Sequence, residues 1–239
     1  MSMPDKPLPQ PKPVTEVWRP DLVRLPKLTR LRLAFRKFSH GFIKLVTRAC
    51  LRVTTEGLEN LPQSRPLLIV MNHLGDADVA ALISSLPFTP DALGKIELYD
   101  LPILGKLIDW YGIIWLHRGR PDKRALRAAL DGLAEGRVIV IAPEGRYSLT
   151  GALEEGTGGA AFLAYRSGAS VLPIAITGTE NENVYGHMKR FRRAPVHVRV
   201  GKTFRLAEQA SARREAMNEG TSQIMAALSA LLPEKYRGG

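Results

Sequence analysis

Cysteine, acidic residues and long apolar runs are all scarce in this chain. A single cysteine, Cys50, leaves no intramolecular disulfide and no cysteine-rich metal site, and it suits a reducing compartment. No apolar stretch approaches the roughly 20 residues that a spanning helix needs, so the expectation is a soluble or peripheral protein. The first residues, Met1 to Pro7, lack the apolar run of a signal peptide, and a cytoplasmic location is expected. Against 34 Lys+Arg stand only 23 Asp+Glu, a net charge of +11, and no acid occurs between Asp21 and Glu56. That balance favours anionic partners: nucleic acid, an acidic membrane surface or phosphorylated substrates. The basic residues are not interleaved with aromatics and no nucleic-acid motif is present, which leaves a nucleic-acid-binding module as the rival reading.

With 239 residues the chain is long enough for one well-buried core. Residues 1–26 carry Pro4, Pro7, Pro9, Pro11, Pro13 and Pro20 and are expected to form a flexible tail. Over residues 27–50, Leu28, Leu31, Phe35, Phe38, Phe42 and Leu45 recur every three or four positions, which predicts an amphipathic helix. Arg30, Arg32, Arg36, Lys37, Lys44 and Arg48 give it a basic face. Two settings fit such an arm: the headgroup region of an anionic membrane, or the core, reached through Leu31, Phe35 and Phe38.

Residues 51–239 follow a βαβ rhythm. Strands are expected at 51–55, 66–71, 95–98, 113–116, 138–142, 171–177 and 196–204, with helices at 76–85, 103–110, 122–134, 159–166 and 211–232. This alternation predicts an α/β fold, a largely parallel mixed sheet flanked by helices.

Chemistry-bearing residues cluster where the strands end, the usual place for sites in open α/β sheets. Asn72-His73-Leu74-Gly75-Asp76-Ala77-Asp78 follows an apolar strand. A histidine on that turn, with Asp78 in the first turn of the next helix, is either a general base with an orienting carboxylate or a satisfied structural residue. Arg118 and Arg120 flank Gly119 after another strand, where they can grip a phosphate or form a solvated loop. Pro143-Glu144-Gly145-Arg146 follows a third strand. There Glu144 can orient a hydroxyl or hold an arginine, Arg146 can bind phosphate, or the whole can be a surface turn. Val171-Leu172-Pro173 reads as a pocket wall. His73 with Asp76 or Asp78 lacks further ligands at recognisable spacing, so no metal is expected.

In order and spacing these clusters resemble the glycerolipid acyltransferases, the group containing 1-acylglycerol-3-phosphate acyltransferase. Asn72, His73 and Asp78 match the first motif, Gly112 and Arg118 the second, Pro143, Glu144, Gly145 and Ser148 the third, and Val171-Leu172-Pro173 the fourth. Lys95-Ile96-Glu97-Leu98 also matches the family's Lys-x-Glu-Leu segment. Where the family has Thr-Arg, this chain has Arg146-Tyr147. Glu154-Glu155-Gly156 replaces a basic segment after the third motif. The resemblance implies a glycerol-3-phosphate acyltransferase-like fold and transfer of a fatty acyl group from acyl-CoA or acyl-ACP to a hydroxyl of a lysophospholipid. The product from 1-acylglycerol-3-phosphate would be phosphatidic acid. It implies His73 as base with Asp78 orienting it, Lys95, Arg118 and Arg146 on the acceptor phosphate, and Glu144 and Gly145 shaping the glycerol site. No cofactor beyond the donor is implied, and the place of action would be the cytoplasmic face of the membrane. A different lysolipid or polar acceptor, a hydrolase releasing the acyl chain to water, and a non-catalytic relative that binds membranes are the alternatives.

Overall fold

The structure, a computed structural model, describes residues 14–119, 121–207 and 214–238. Seven strands form one sheet in the order β1-β7-β6-β2-β5-β3-β4. They are β1 (Leu51–Glu56), β2 (Leu67–Met71), β3 (Asp91–Lys95), β4 (Ile114–Leu116), β5 (Val138–Ile141), β6 (Ser170–Thr177) and β7 (Ala194–Val200). All neighbours are parallel except β6 and β7, so the sheet is the mixed, largely parallel one that the rhythm predicts.

The central strand β2 reads Leu-Leu-Ile-Val-Met and is buried throughout. Successive side chains point to opposite faces, and here both faces are covered. Leu68 and Val70 join a core with α4 (Lys123–Ala134), α5 (Gly159–Ser167) and α7 (Arg214–Leu231). Leu67, Ile69 and Met71 join another with α2 (Asp78–Ser85) and the β1–β7 pair. Helix α3 (Leu104–Tyr111) precedes β4, and α6 (Asn181–Met188) lies between β6 and β7.

Several elements depart from their expected places. The Lys95–Leu98 strand is displaced: β3 ends at Lys95, and Ile96–Asp100 is a 3-10 turn. Lys95 is the last residue in register with β4, opposite Leu116, so the alternating pattern beyond it has no partner strand. The strand expected at 196–204 ends at Val200, and Phe204 rejoins the sheet in a single bridge to Val171. Helix α6 was not foreseen, because Val184 is its only buried residue and no apolar stripe marks it. The start of the last helix at Ser211 lies outside the described residues, as do residues 1–13 of the tail and Arg120. The rest of the tail, residues 14–26, is not free: Val23 and Pro26 are buried, and the Pro26 carbonyl accepts from Arg137 at 2.9 Å.

The arm is helix α1 (Arg30–Cys50), started by Thr29, whose side chain accepts the Arg32 N–H. It packs on α2, α3 and β1, but with its apolar stripe outward. Leu31, Phe38, Phe42 and Leu45 are all exposed, Phe38 by 68%. The face toward the core carries Arg36 and Thr47 instead. The Arg36 guanidinium pairs with buried Asp91, donates to the carbonyls of Thr89 and Pro90 at 3.0 Å, and lies 4.8 Å from the Tyr111 ring centroid. Core packing through Leu31 and Phe38 is therefore corrected. Of that trio only Phe35 is half-buried, edge-on to Trp110 at 5.0 Å. Arg36 likewise leaves the basic face, because a cation in this pocket satisfies Asp91 and two carbonyls.

Candidate active site

The parallel strands β2, β5 and β6 end side by side, and their following loops meet there. Asn72 continues the β2–β6 ladder with its side chain: its amide donates to the Ile176 carbonyl and accepts the Ile176 N–H, both at 2.8 Å. That fixes the chain at the point where His73 leaves the sheet. Gly75 then passes against the β6–α6 loop so closely that a β-carbon would stand 2.4 Å from the Thr179 carbonyl.

Asp78 opens α2 and is completely buried. Its Oδ2 accepts the N–H groups of Leu74 at 2.7 Å and Gly75 at 2.9 Å, and Oδ1 accepts the Thr179 hydroxyl. His73 Nδ1 lies 2.6 Å from Oδ2. A carboxylate already accepting from every other neighbour assigns the proton to Nδ1, leaving the Nε2 lone pair outward. No hydrogen bond engages Nε2 among the described residues, and the side chain is 21% exposed. The geometry is that of an imidazole able to take a proton from a hydroxyl brought to Nε2, with a carboxylate placed to stabilise the imidazolium.

Glu144 lies beneath this pair rather than lining it. It is buried, and its two oxygens accept the N–H groups of His73 at 3.0 Å and Glu154 at 2.9 Å. Burial pushes its carboxyl up to about 7, against the pull of those two donors. These two contacts make Glu144 a brace joining the loops after β2 and β5. Gly145 makes the turn that permits this, at φ 72° with its N–H on the Ala142 carbonyl at 3.1 Å.

The three expected phosphate ligands are not equivalent. Lys95 lies beside Tyr147, the ring that packs on His73, with its Nζ 5.1 Å from the Tyr147 ring centroid. Arg118 is held by Glu97 at 2.9 Å, and Arg146 by Glu154 at 2.8 Å. Glu154 thus spends its charge on Arg146.

Residues the motifs did not single out complete the surroundings. Tyr147 sits edge-on to His73 with ring centroids 4.2 Å apart. Its hydroxyl donates to Asp76 at 2.8 Å, and that of Tyr185 donates to the other oxygen at 3.0 Å. Burial opposes the charge on Asp76, but the two tyrosines and nearby Lys95 together hold it below the usual carboxylate range. Burial first, then the bond to Asp76, pushes the Tyr147 hydroxyl up, so it stays a donor. Thr179 carried a visible signal, a polar residue just past a buried strand. Tyr185 did not, because α6 has no legible pattern. Among the described residues no group of three or more His, Cys, Asp or Glu is arranged to hold a metal.

The acyltransferase family profile matches residues 52–177, which include both His73 and Glu144. A chloroplast 1-acyl-sn-glycerol-3-phosphate acyltransferase of Arabidopsis thaliana is 29% identical over 177 residues, 68% of this chain and 49% of that protein. A lyso-ornithine lipid O-acyltransferase of Pseudomonas aeruginosa is 32% identical over 114 residues, 47% of this chain and 43% of its own. The chain spans about half the length of the curated relatives it matches. The fold is that of the crystal structure of the 1-acyl-sn-glycerophosphate acyltransferase PlsC from Thermotoga maritima, with a TM-score of 0.63, 24% identity, and 85% and 83% of the two chains covered. A profile that spans more than half of its residues, from β1 to the end of β6, places the chain in the acyltransferase family.

Proposed function

We propose that this protein transfers a fatty acyl group from an acyl-CoA or acyl-ACP thioester to a hydroxyl of a lysophospholipid such as 1-acylglycerol-3-phosphate. The observation that carries the reading is the His73–Asp78 pair, with Nδ1 engaged at 2.6 Å and Nε2 open. Nε2 takes the proton of the acceptor hydroxyl as its oxygen attacks the thioester carbonyl. The tetrahedral intermediate collapses, the C–S bond breaks, and the imidazolium returns the proton to the departing thiolate. Asp78 keeps the ring in the productive tautomer through both halves. Cys50 lies at the end of α1 and no nucleophilic serine elbow is present, so transfer is direct rather than through an acyl-enzyme.

The acceptor class follows the names of the relatives, and Lys95 is the cation best placed for a headgroup phosphate. A second acceptor, a lysolipid with another polar headgroup, draws support from the engagement of Arg118 and Arg146 by Glu97 and Glu154.

Helix α1 supports action at a membrane surface. Its exposed stripe adjoins α3, where Leu104, Leu107 and Trp110 are also exposed together with Ile103 just before the helix, and the exposed Arg30, Lys37 and Arg48 supply positive charge beside it. No described helix is long and apolar enough to cross a membrane. We place the protein peripherally on an anionic membrane, at the cytoplasmic face, and read the overall charge as serving lipid rather than nucleic acid.

Purified protein incubated with acyl donors and a panel of lysolipids, with the products identified, tests the reaction and its acceptor. Acyl release that does not depend on any acceptor would make the protein a hydrolase instead.

A further inference from the structure

The segment Lys189-Arg190-Phe191-Arg192-Arg193 links α6 to β7 and takes no part in the site. All five residues are exposed, and Phe191 is exposed by 100%. Phe191 is also the only non-glycine residue at positive φ among the described ones, at 52°. Its N–H donates to the Met188 carbonyl and the Arg192 N–H donates to that of His187, so α6 closes through a left-handed residue. Glycine or asparagine usually fills that position, because a β-carbon crowds the backbone there. A phenylalanine placed there is both strained and unpacked, so nothing within the fold accounts for it.

Its surroundings indicate what does. Four cations flank the ring, and none pairs with a carboxylate among the described residues. No acidic residue occurs between Glu182 and Glu208. The loop stands at the end of the sheet where the site lies, since Pro195 of β7 abuts Gly178 just past β6. At its other end α6 meets the site, where Asn181 and Tyr185 both bond Asp76. The Arg193 guanidinium reaches the Arg48 carbonyl in the last turn of α1 at 3.4 Å, close to the exposed Leu45 and Val46.

We propose that Lys189–Arg193 is a second membrane contact, in which the Phe191 ring enters the acyl region of an anionic lipid surface and the four cations engage its headgroups. An apolar ring between cations suits a boundary that is greasy on one side and negatively charged on the other. A single-stranded nucleic acid would instead need several rings along a groove. A helix alone leaves the protein free to roll about its axis, whereas a helix and a loop together fix which way the open edge of His73 faces. This extends the membrane reading of α1 and is tested apart from it.

The experiment measures partitioning of the full chain onto phosphatidylcholine vesicles with and without phosphatidylglycerol, and onto an RNA oligonucleotide. Asparagine tolerates the left-handed conformation, so Phe191→Asn keeps the fold, checked by an unchanged unfolding temperature. It should lower partitioning onto the anionic vesicles about tenfold, and R190E with R192E should lower it further at low salt than at high salt. Unchanged vesicle partitioning of Phe191→Asn overturns the proposal, as does a loss confined to RNA. Phe38→Ser in parallel reports on α1 alone. Acyl transfer plays no part in the readout, so failure of the enzymatic reading leaves this result standing, and the reverse holds too.

Discussion

Two histidines in this protein each meet an aspartate five residues later, and the fold treats them differently. His73 follows β2 and pairs with Asp78, the first residue of α2. His117 follows β4 and pairs through Nδ1 at 2.8 Å with Asp122, which caps α4 by accepting the N–H groups of Arg124 and Ala125. Strand, turn, helix start and imidazole tautomer are shared. The difference lies at Nε2. At His117 it accepts the Arg19 N–H at 2.9 Å, the Trp18 ring covers the imidazole at 4.2 Å, and the side chain is 5% exposed. At His73 the corresponding nitrogen faces outward. One pair is a buckle that fastens residues 14–26 to the sheet, and the other is the one we propose as the base. The spacing makes an oriented imidazole, and what covers its far side decides the use.

The strongest way to break this comparison is to remove each histidine. His73→Ala should lower acyl transfer by roughly a hundred to ten thousandfold with little change in unfolding temperature. Steady-state rates beside thermal unfolding check this, and retained turnover would refute the assignment of base and buckle.

The carboxylates around the two pairs carry opposite pH signs. Glu144 has its folded value raised to about 7 from an ordinary 4.5, so the folded chain binds more protons across that interval. Its contribution is intact in acid and is lost as pH rises toward 7, by up to about 3 kcal/mol. Asp122 behaves in reverse. Burial opposes its charge, but bonds from the His117 backbone and ring and from Ala125 and Arg124 hold it below the ordinary 3.8. Its contribution is present above that value and is lost on further acidification. Denaturant unfolding from pH 4 upward should therefore show a decline that Glu144→Gln flattens, while Asp122→Asn should remove stability at neutral pH.

His117→Ala should cost about 1–3 kcal/mol, because Arg19 and Asp122 each lose a buried partner, while turnover per folded molecule stays near wild type. Calorimetry beside activity separates the two effects. The smallest expected change is Thr179→Val, which removes one donor from Asp78 and should cost about 1 kcal/mol of stability with a modest loss of rate. If Thr179→Val abolishes turnover, Asp78 depends on that hydroxyl for more than its placement.

Much of the site was legible because strand ends, turns and their chemistry lie close together in sequence. His73, Asp78, Glu144 and Gly145 were found by local pattern, and they converge because β2 and β5 are neighbours in the sheet. Tyr147 was visible only as the residue standing where the family has arginine. Its contact with His73 depends on two loops that are 71 residues apart meeting at Asp76. The second histidine–aspartate spacing was equally readable, but nothing local reveals that Arg19, 98 residues away, closes it.

By itself the sequence determined the α/β rhythm, the order of the strand-end motifs and the five-residue step that orients His73, because these follow from side-chain period and turn geometry. Tertiary structure alone decided which way the faces point. The stripe on α1 is apolar by period, yet it faces outward because Asp91, contributed by β3, requires Arg36 on the inner side. Arg118 and Arg146 are cations in sequence, and Glu97 and Glu154 claim them only once the chain is folded. Period shows which residues share a face. Only the neighbours supplied by distant segments show what that face meets.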